Sequence, residues 1–157
     1  MVIDNLSQAV YETVCSTLDN IGWTYERQDA QLKITCSVRG ADLPINLMFL
    51  VDSDVQVVSV ISPFPFYMDE SKRVEAALAV SIANYGFING SFDYDYRDGE
   101  IRFRIASSYR DGIPSTELIT YMINLAAGNV EKYNDKFLML SNGSIDLQQF
   151  ADWENGN

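Results

Sequence analysis

Apolar residues recur at helical spacing at Leu6, Val10, Val14, Leu18 and Ile21, and Gly22 follows as a stop, so the chain opens with an amphipathic helix. The period then falls to two. Trp23 and Tyr25 alternate with Thr24 and Glu26, and Leu32, Ile34, Cys36 and Val38 alternate with Lys33, Thr35, Ser37 and Arg39, which predicts two strands joined near Asp29-Ala30. A second hairpin follows: Ile45, Leu47, Phe49 and Val51 alternate, Asp52-Ser53-Asp54 turns the chain, and a Val/Ile-rich run from Val55 to Ile61 returns. Asp69 is placed to cap a helix whose apolar face reads as Val74, Ala77, Leu78 and Ile82, ending near Gly86. A third helix starts at Ser115 with Glu117 in its first turn and a stripe of Ile119, Met122, Ile123, Ala126, Val130, Tyr133 and Phe137. After Asn142-Gly143, Leu147, Phe150, Ala151 and Trp153 predict a short tail helix docked on its own domain.

Between the second and third helices, Asp98-Gly99 signals a two-residue type I′ turn. That turn sets Arg97 opposite Glu100, Tyr96 opposite Ile101, Asp95 opposite Arg102, Tyr94 opposite Phe103, Asp93 opposite Arg104 and Phe92 opposite Ile105. One face of the hairpin becomes apolar and the other a ladder of opposite charges. Asp93, Asp95, Asp98, Gly99, Arg102 and Arg104 are therefore read as structural hairpin residues. The order is helix, two antiparallel hairpins, helix, one hairpin, long helix and short tail helix, with strands arriving in hairpins, which favours an α+β fold. We expect a single domain over 1–140 and a C-terminal tail over 141–157, in a chain whose 157 residues suffice for one core.

Charge and composition narrow the chemistry. Eleven basic and 22 acidic residues leave a formal net charge of −11, a field that repels phosphate backbones and anionic lipid, so neither nucleic-acid nor membrane partners are expected. Histidine is absent, which removes the commonest metal ligand and every Ser-His or Cys-His nucleophile pair. No catalytic residue, metal or cofactor is assigned. The run Asp93-x-Asp95-x-x-Asp98-Gly99 begins like a calcium loop, but Arg97 takes a ligand's place and no bidentate Glu follows at the required spacing. Cys15 and Cys36 fall at core positions and are expected as buried free thiols. Nothing at Met1-Val-Ile-Asp4 or in the interrupted segment from Asn5 to Ile21 resembles a signal peptide or a membrane span, so a cytoplasmic location is expected. The glycosylation triplets at Asn5, Asn89 and Asn142 then carry no meaning.

Two features exceed what a core needs. In the second hairpin the face that should be polar carries Met48, Leu50 and Val57, so that the sheet is apolar on both sides there. Either a helix or the tail overlies this face, or it meets a partner. The connection Ser62-Pro63-Phe64-Pro65-Phe66-Tyr67-Met68 is dominated by aromatics, with prolines that deny it a place in the sheet. Phe64, Phe66 and Tyr67 either close the end of the core or anchor a partner.

The run Asn84-Tyr-Gly-Phe-Ile-Asn-Gly90-Ser-Phe92-Asp-Tyr-Asp95, leading through Asp98-Gly99-Glu-Ile-Arg-Phe-Arg104, resembles the YbjN family of bacterial sensory-transduction regulators. Helix one ending in Ile21-Gly22-Trp23-Thr24-Tyr25-Glu26 is similar to that family's opening, and the helix carrying Tyr133 and Phe137 to its close. The resemblance implies a type III secretion chaperone-like α+β fold, bacterial and cytoplasmic, without catalytic activity, and chaperones of that fold are small acidic dimers that bind segments of other proteins. The expected function is thus a non-enzymatic protein-binding module, chaperone-like or a regulatory adaptor, homodimeric, acting through Met48, Leu50, Val57, Phe64, Phe66 and Tyr67. The alternative is a small-molecule sensor with its ligand between the sheet and the helices.

Overall fold

The computed structural model describes residues 3–156; Met1, Val2 and Asn157, which the expected spans 1–140 and 141–157 include, lie outside them. Asp4 caps the first helix, α1 (Asn5–Asn20), accepting the Ser7 N–H at 2.6 Å, and Gly22 ends the helical segment at φ 75°. Then come β1 (Glu26–Gln28), a 3₁₀ turn, β2 (Lys33–Val38), β3 (Ile45–Asp52) and β4 (Val57–Tyr67). A 3₁₀ turn capped by Asp69 leads into α2 (Arg73–Tyr85), followed by β5 (Ser91–Asp95), β6 (Glu100–Ser108), α3 (Thr116–Ser141) and α4 (Leu147–Glu154). The six strands form one antiparallel sheet in the order β1-β2-β3-β4-β6-β5. The architecture is α+β, with the elements in the order the hydrophobic pattern predicts.

Alternation within the strands sends Leu32, Ile34, Leu47, Phe49, Val51, Val58, Val60, Ile101, Phe103 and Ile105 to one side, where they share a core with Val10, Val14 and Leu18 of α1 and the whole predicted stripe of α3. α4 docks on the same layer: Phe150 is fully buried, with its ring 4.9 Å from that of Phe137. Both cysteines are buried and free.

Four details differ from the sequence reading. Trp23 and Tyr25 precede the strand, and β1 is only three residues long. β4 runs on through Pro63 and Pro65 to Tyr67, pairing Pro63 with Arg102 and Tyr67 with Glu100 across a register shift. The prolines are tolerated because β4 has by then passed its last paired position with β3, Ile61 opposite Met48, so one side of it behaves as an edge. In α2 the buried residues are Ala76, Ala79, Val80 and Ala83, while Val74, Ala77 and Leu78 are exposed and Ile82 is half-buried. The helix has two apolar faces, and the smaller side chains fit the close approach to β5 and α4.

The last difference is the register of the β5–β6 hairpin. Asp95 lies opposite Glu100, Tyr94 opposite Ile101, Asp93 opposite Arg102, Phe92 opposite Phe103 and Ser91 opposite Arg104, a slip of two residues from the type I′ expectation. Tyr96 to Gly99 form a four-residue loop. Its shape comes from Asp95, whose carboxylate accepts the Arg97 N–H at 2.9 Å and whose carbonyl accepts the Gly99 N–H at 2.8 Å. The Gly99 carbonyl in turn accepts the Met68 N–H at 2.9 Å, so a segment distant in sequence anchors the loop.

The motif around Asn84 has a direct structural reading. The Phe92 N–H donates to Asn84 Oδ1 at 2.7 Å and Asn84 Nδ2 donates to the Phe92 carbonyl at 3.0 Å, so one amide side chain satisfies both edge-facing groups of Phe92 as a neighbouring strand would. Gly90 has φ 74°, and a Cβ there would lie 2.5 Å from the Phe103 ring. We expect Asn84→Ala to cost about 1–3 kcal/mol by stranding two backbone groups. Gly90→Ala should cost more than about 1 kcal/mol from strain and collision with Phe103. Urea unfolding of the two variants measures both losses.

Candidate functional site

The sheet has a second face, and no helix of the described chain lies over it. Residues pointing there form rows across the strands: Thr35, Met48, Ile61 and Arg104 in one, Lys33, Leu50, Ser59 and Ala106 in the next, with Pro63, Arg102 and Asp93 beyond. Met48, Leu50 and Val57 are half-buried, shielded only by one another and by their row neighbours. Ile61 is 7% exposed yet stands apart from the core cluster. Of the two readings of this surface, cover by a helix or the tail is excluded, since α4 docks against α2 and α3.

The face is concave. A cavity of about 600 Å³ has Thr35, Met48, Ile61 and Pro63 on its floor, Tyr25 and Glu26 on one wall, and Glu100 and Arg102 on the other. The first wall is pinned to α1. Tyr25 donates to Asp19 at 2.9 Å, and burial together with that bond pushes its phenol above the ordinary value. Arg27 clamps the same segment, bridging Glu12 at 2.6 Å and Asp29 at 2.9 Å, with its guanidinium 5.1 Å from the centre of the Tyr11 ring.

The hairpin charges are spent within the molecule. Asp93 bonds Arg104 at 2.7 Å and lies 3.5 Å from Arg102. Partial burial pushes its carboxyl up, but the two guanidiniums outweigh that and hold it below the ordinary range. Asp95 pairs with Arg97 at 2.6 Å, not with Arg102 as expected, and the Arg97 bonds bring it down to about 2. Asp98 accepts the Glu100 N–H at 2.9 Å, and Gly99, at φ 85°, leaves no room for a Cβ beside the Met68 carbonyl. Among the described residues no group of three His, Cys, Asp or Glu is arranged to hold a metal ion. Burial raises both thiols, Cys36 to about 11, which keeps them protonated.

The aromatic segment divides. Phe64 is 5% exposed, its ring 5.4 Å from those of Phe92 and Phe137, so it closes the core and drops out of the candidate surface. Phe66 stacks on it at 5.3 Å and is half-buried, whereas Tyr67 is 62% exposed. The interlayer space, where the sensor alternative would put its ligand, is filled by the core side chains. Sequence reasoning missed Ile61, which it named only as the end of a Val/Ile-rich strand, and the walls Tyr25, Glu26 and Glu100. Pairing Glu26 with Thr35 was the signal that could have found the first wall.

The family model for YbjN, described as "Putative bacterial sensory transduction regulator", matches residues 11–139. No curated protein matches the chain in sequence. Solved structures share its fold, among them these three. The crystal structure of YbjN from E. coli, there called "a putative transcription regulator", is 11% identical, with 80% of this chain and 92% of that one covered at a TM-score of 0.58. A chain of the HopA1–SchA chaperone–effector complex is 12% identical, with 85% and 99% covered at 0.57. A chain of the ExsC–ExsE complex is 11% identical, with 85% and 96% covered at 0.56.

The two sides of the sheet should respond differently to substitution. Phe64→Ala should cost about 3–5 kcal/mol, and Leu50→Asp about 1 kcal/mol or less, both read from urea midpoints. Asp93 and Asp95 sit below their ordinary 3.8, so their contribution is complete above that pH and is lost as the pH falls through their depressed values, about 2 for Asp95. The stability difference between the natural protein and Asp93→Asn, measured by thermal melting, should therefore be largest above pH 4 and shrink below it.

Proposed function

Because the chain belongs to the YbjN family, whose model spans residues 11–139, we propose that it is a non-enzymatic protein-binding module, a chaperone-like or regulatory adaptor that takes a polypeptide on its open sheet face. The observation that carries this reading is the bare, concave, partly apolar surface built on Met48, Leu50, Ile61 and Pro63. Leaving such a surface in water costs stability that an internal contact would recover, and large exposed apolar patches mark interaction sites. Val57 extends the surface at one end, and Tyr67 with the half-buried Phe66 stands at the end of β4. The fold is shared with chains from complexes, one of them of chaperone with effector, which supports a polypeptide as occupant. Regulation through direct nucleic-acid contact fits poorly, because the net charge is −11 and Arg102 and Arg104 are already turned toward Asp93. No helix of the described residues is long and apolar enough to cross a membrane. The proposed cytoplasmic location rests on the family resemblance, not on that absence.

The expected homodimer has a surface available to it. Along α2, Val74, Ala77, Leu78 and Tyr85 form an exposed, uncharged stripe, Tyr85 at 95% exposure, and Ile88 beyond the helix is 97% exposed. A second copy packing across a two-fold axis would cover it in both protomers at once.

Met48→Asp and Leu50→Asp should lower partner capture from a host extract on the order of tenfold while leaving the fold intact. Capture undiminished by either would refute the sheet face as the binding surface. Light scattering should give twice 17.7 kDa for the natural protein. Leu78→Asp with Tyr85→Asp should give the monomer mass.

A further inference from the structure

The open face differs in charge from the rest of the hairpin beside it. Among the described residues Asp93 and Asp95 have arginine partners, but Glu26 and Glu100, on opposite walls of the cavity, have no ion pair. Arg102, the cation on the lining, is drawn toward Asp93 at 3.5 Å. Lys33 points to the same face two residues along β2 from Thr35, outside the cavity, next to Leu50. The bowl thus offers an apolar floor between two unpaired carboxylates, in a molecule of net charge −11.

Geometry then limits the occupant. Glu26 on β1 and Glu100 on β6 are separated by β2, β3 and β4. The row of Glu26 meets β6 at Arg104, four residues from Glu100, so four strand spacings combined with that offset amount to roughly 23 Å, a distance an extended chain crosses in about seven residues. The floor presents the side chains of Met48, Ile61 and Pro63, so it selects apolar side chains. The walls favour positive charge near each end of the crossing.

Resting on the reading of this face as a polypeptide site, we propose that its occupant is an extended segment of about seven residues, with apolar side chains at alternate positions and lysine or arginine near both ends. The segment lies diagonally across the strands, its apolar side chains on Met48, Ile61 and Pro63 and its cations against Glu26 and Glu100.

The test is a titration of the ¹⁵N-labelled full chain, followed by amide shifts, with two peptides that alternate valine and leucine. One carries lysine at both ends and the other glutamate. The lysine peptide should move the amides of Thr35, Met48 and Ile61 and saturate at roughly three- to tenfold lower concentration than the glutamate peptide. That preference should collapse in the double variant Glu26→Gln, Glu100→Gln, and in high salt. If both peptides bind the bowl equally, or if the double variant keeps the full preference, the charge assignment is overturned while the open-face reading stands. If neither peptide moves those amides and Leu50→Asp captures partner normally, the reading of the face itself fails.

Discussion

A continuous cluster of aromatic rings on one side of the sheet organises the molecule. Phe92 of β5 lies 5.4 Å from Phe64 of β4 and from Phe103 of β6, and 5.3 Å from Tyr133 of α3. Phe137 carries the chain of contacts to Phe150, and Tyr133 meets Trp153 at 5.3 Å, so α4 joins the same cluster. Each such pair contributes about 0.5–1.5 kcal/mol beyond the area it buries. Tyr133 also donates to Glu154 at 2.7 Å, and burial together with that bond raises its phenol above the ordinary value. The tail is thereby held in the helical layer and is not free to cover the other side of the sheet.

That commitment explains the bare face. Large apolar side chains from three strands and two helices meet in one layer, and nothing remains in the described chain to build a third. The outward residues of the central strands are consequently shielded only by each other, and curvature turns them into a bowl. The same packing sets the orientation of α2. Wedged beside β5 and α4, it presents alanines inward and its larger apolar residues to solvent, so the second exposed apolar surface follows from the first layer's crowding.

The protein therefore has two apolar surfaces of different character. One is a concave floor between acidic walls, suited to a segment that lies down on it. The other is a convex helical stripe, suited to a copy of itself. Their separation would let the proposed self-association and the proposed partner binding proceed without competing for the same residues.

How much of this could be read in advance follows from the range of the interactions involved. Helix and strand existence, the α3 stripe, the cap at Asp69, the start of α3 at Ser115 and the burial of both cysteines were legible, because periodicity and capping act over a few residues. The apolar outward row of Met48, Leu50 and Val57 was legible for the same reason, though not whether anything covered it. The hairpin shows where local reasoning stops: alternation placed Phe92, Tyr94, Ile101 and Phe103 on the correct face, but a slip of two preserves every face, and the observed register goes with the Asp95 bonds that shape the loop and with the contact of Gly99 with the distant Met68. Phe64 and Phe66 could equally have faced in or out until Phe92 and Phe137 took one of them. The sequence alone thus determined the elements, their order and their two-faced character. Tertiary packing decided which apolar face of α2 went inward, which side of the sheet stayed open and which charges were left unpaired, because each depends on groups that meet only when the chain has closed on itself.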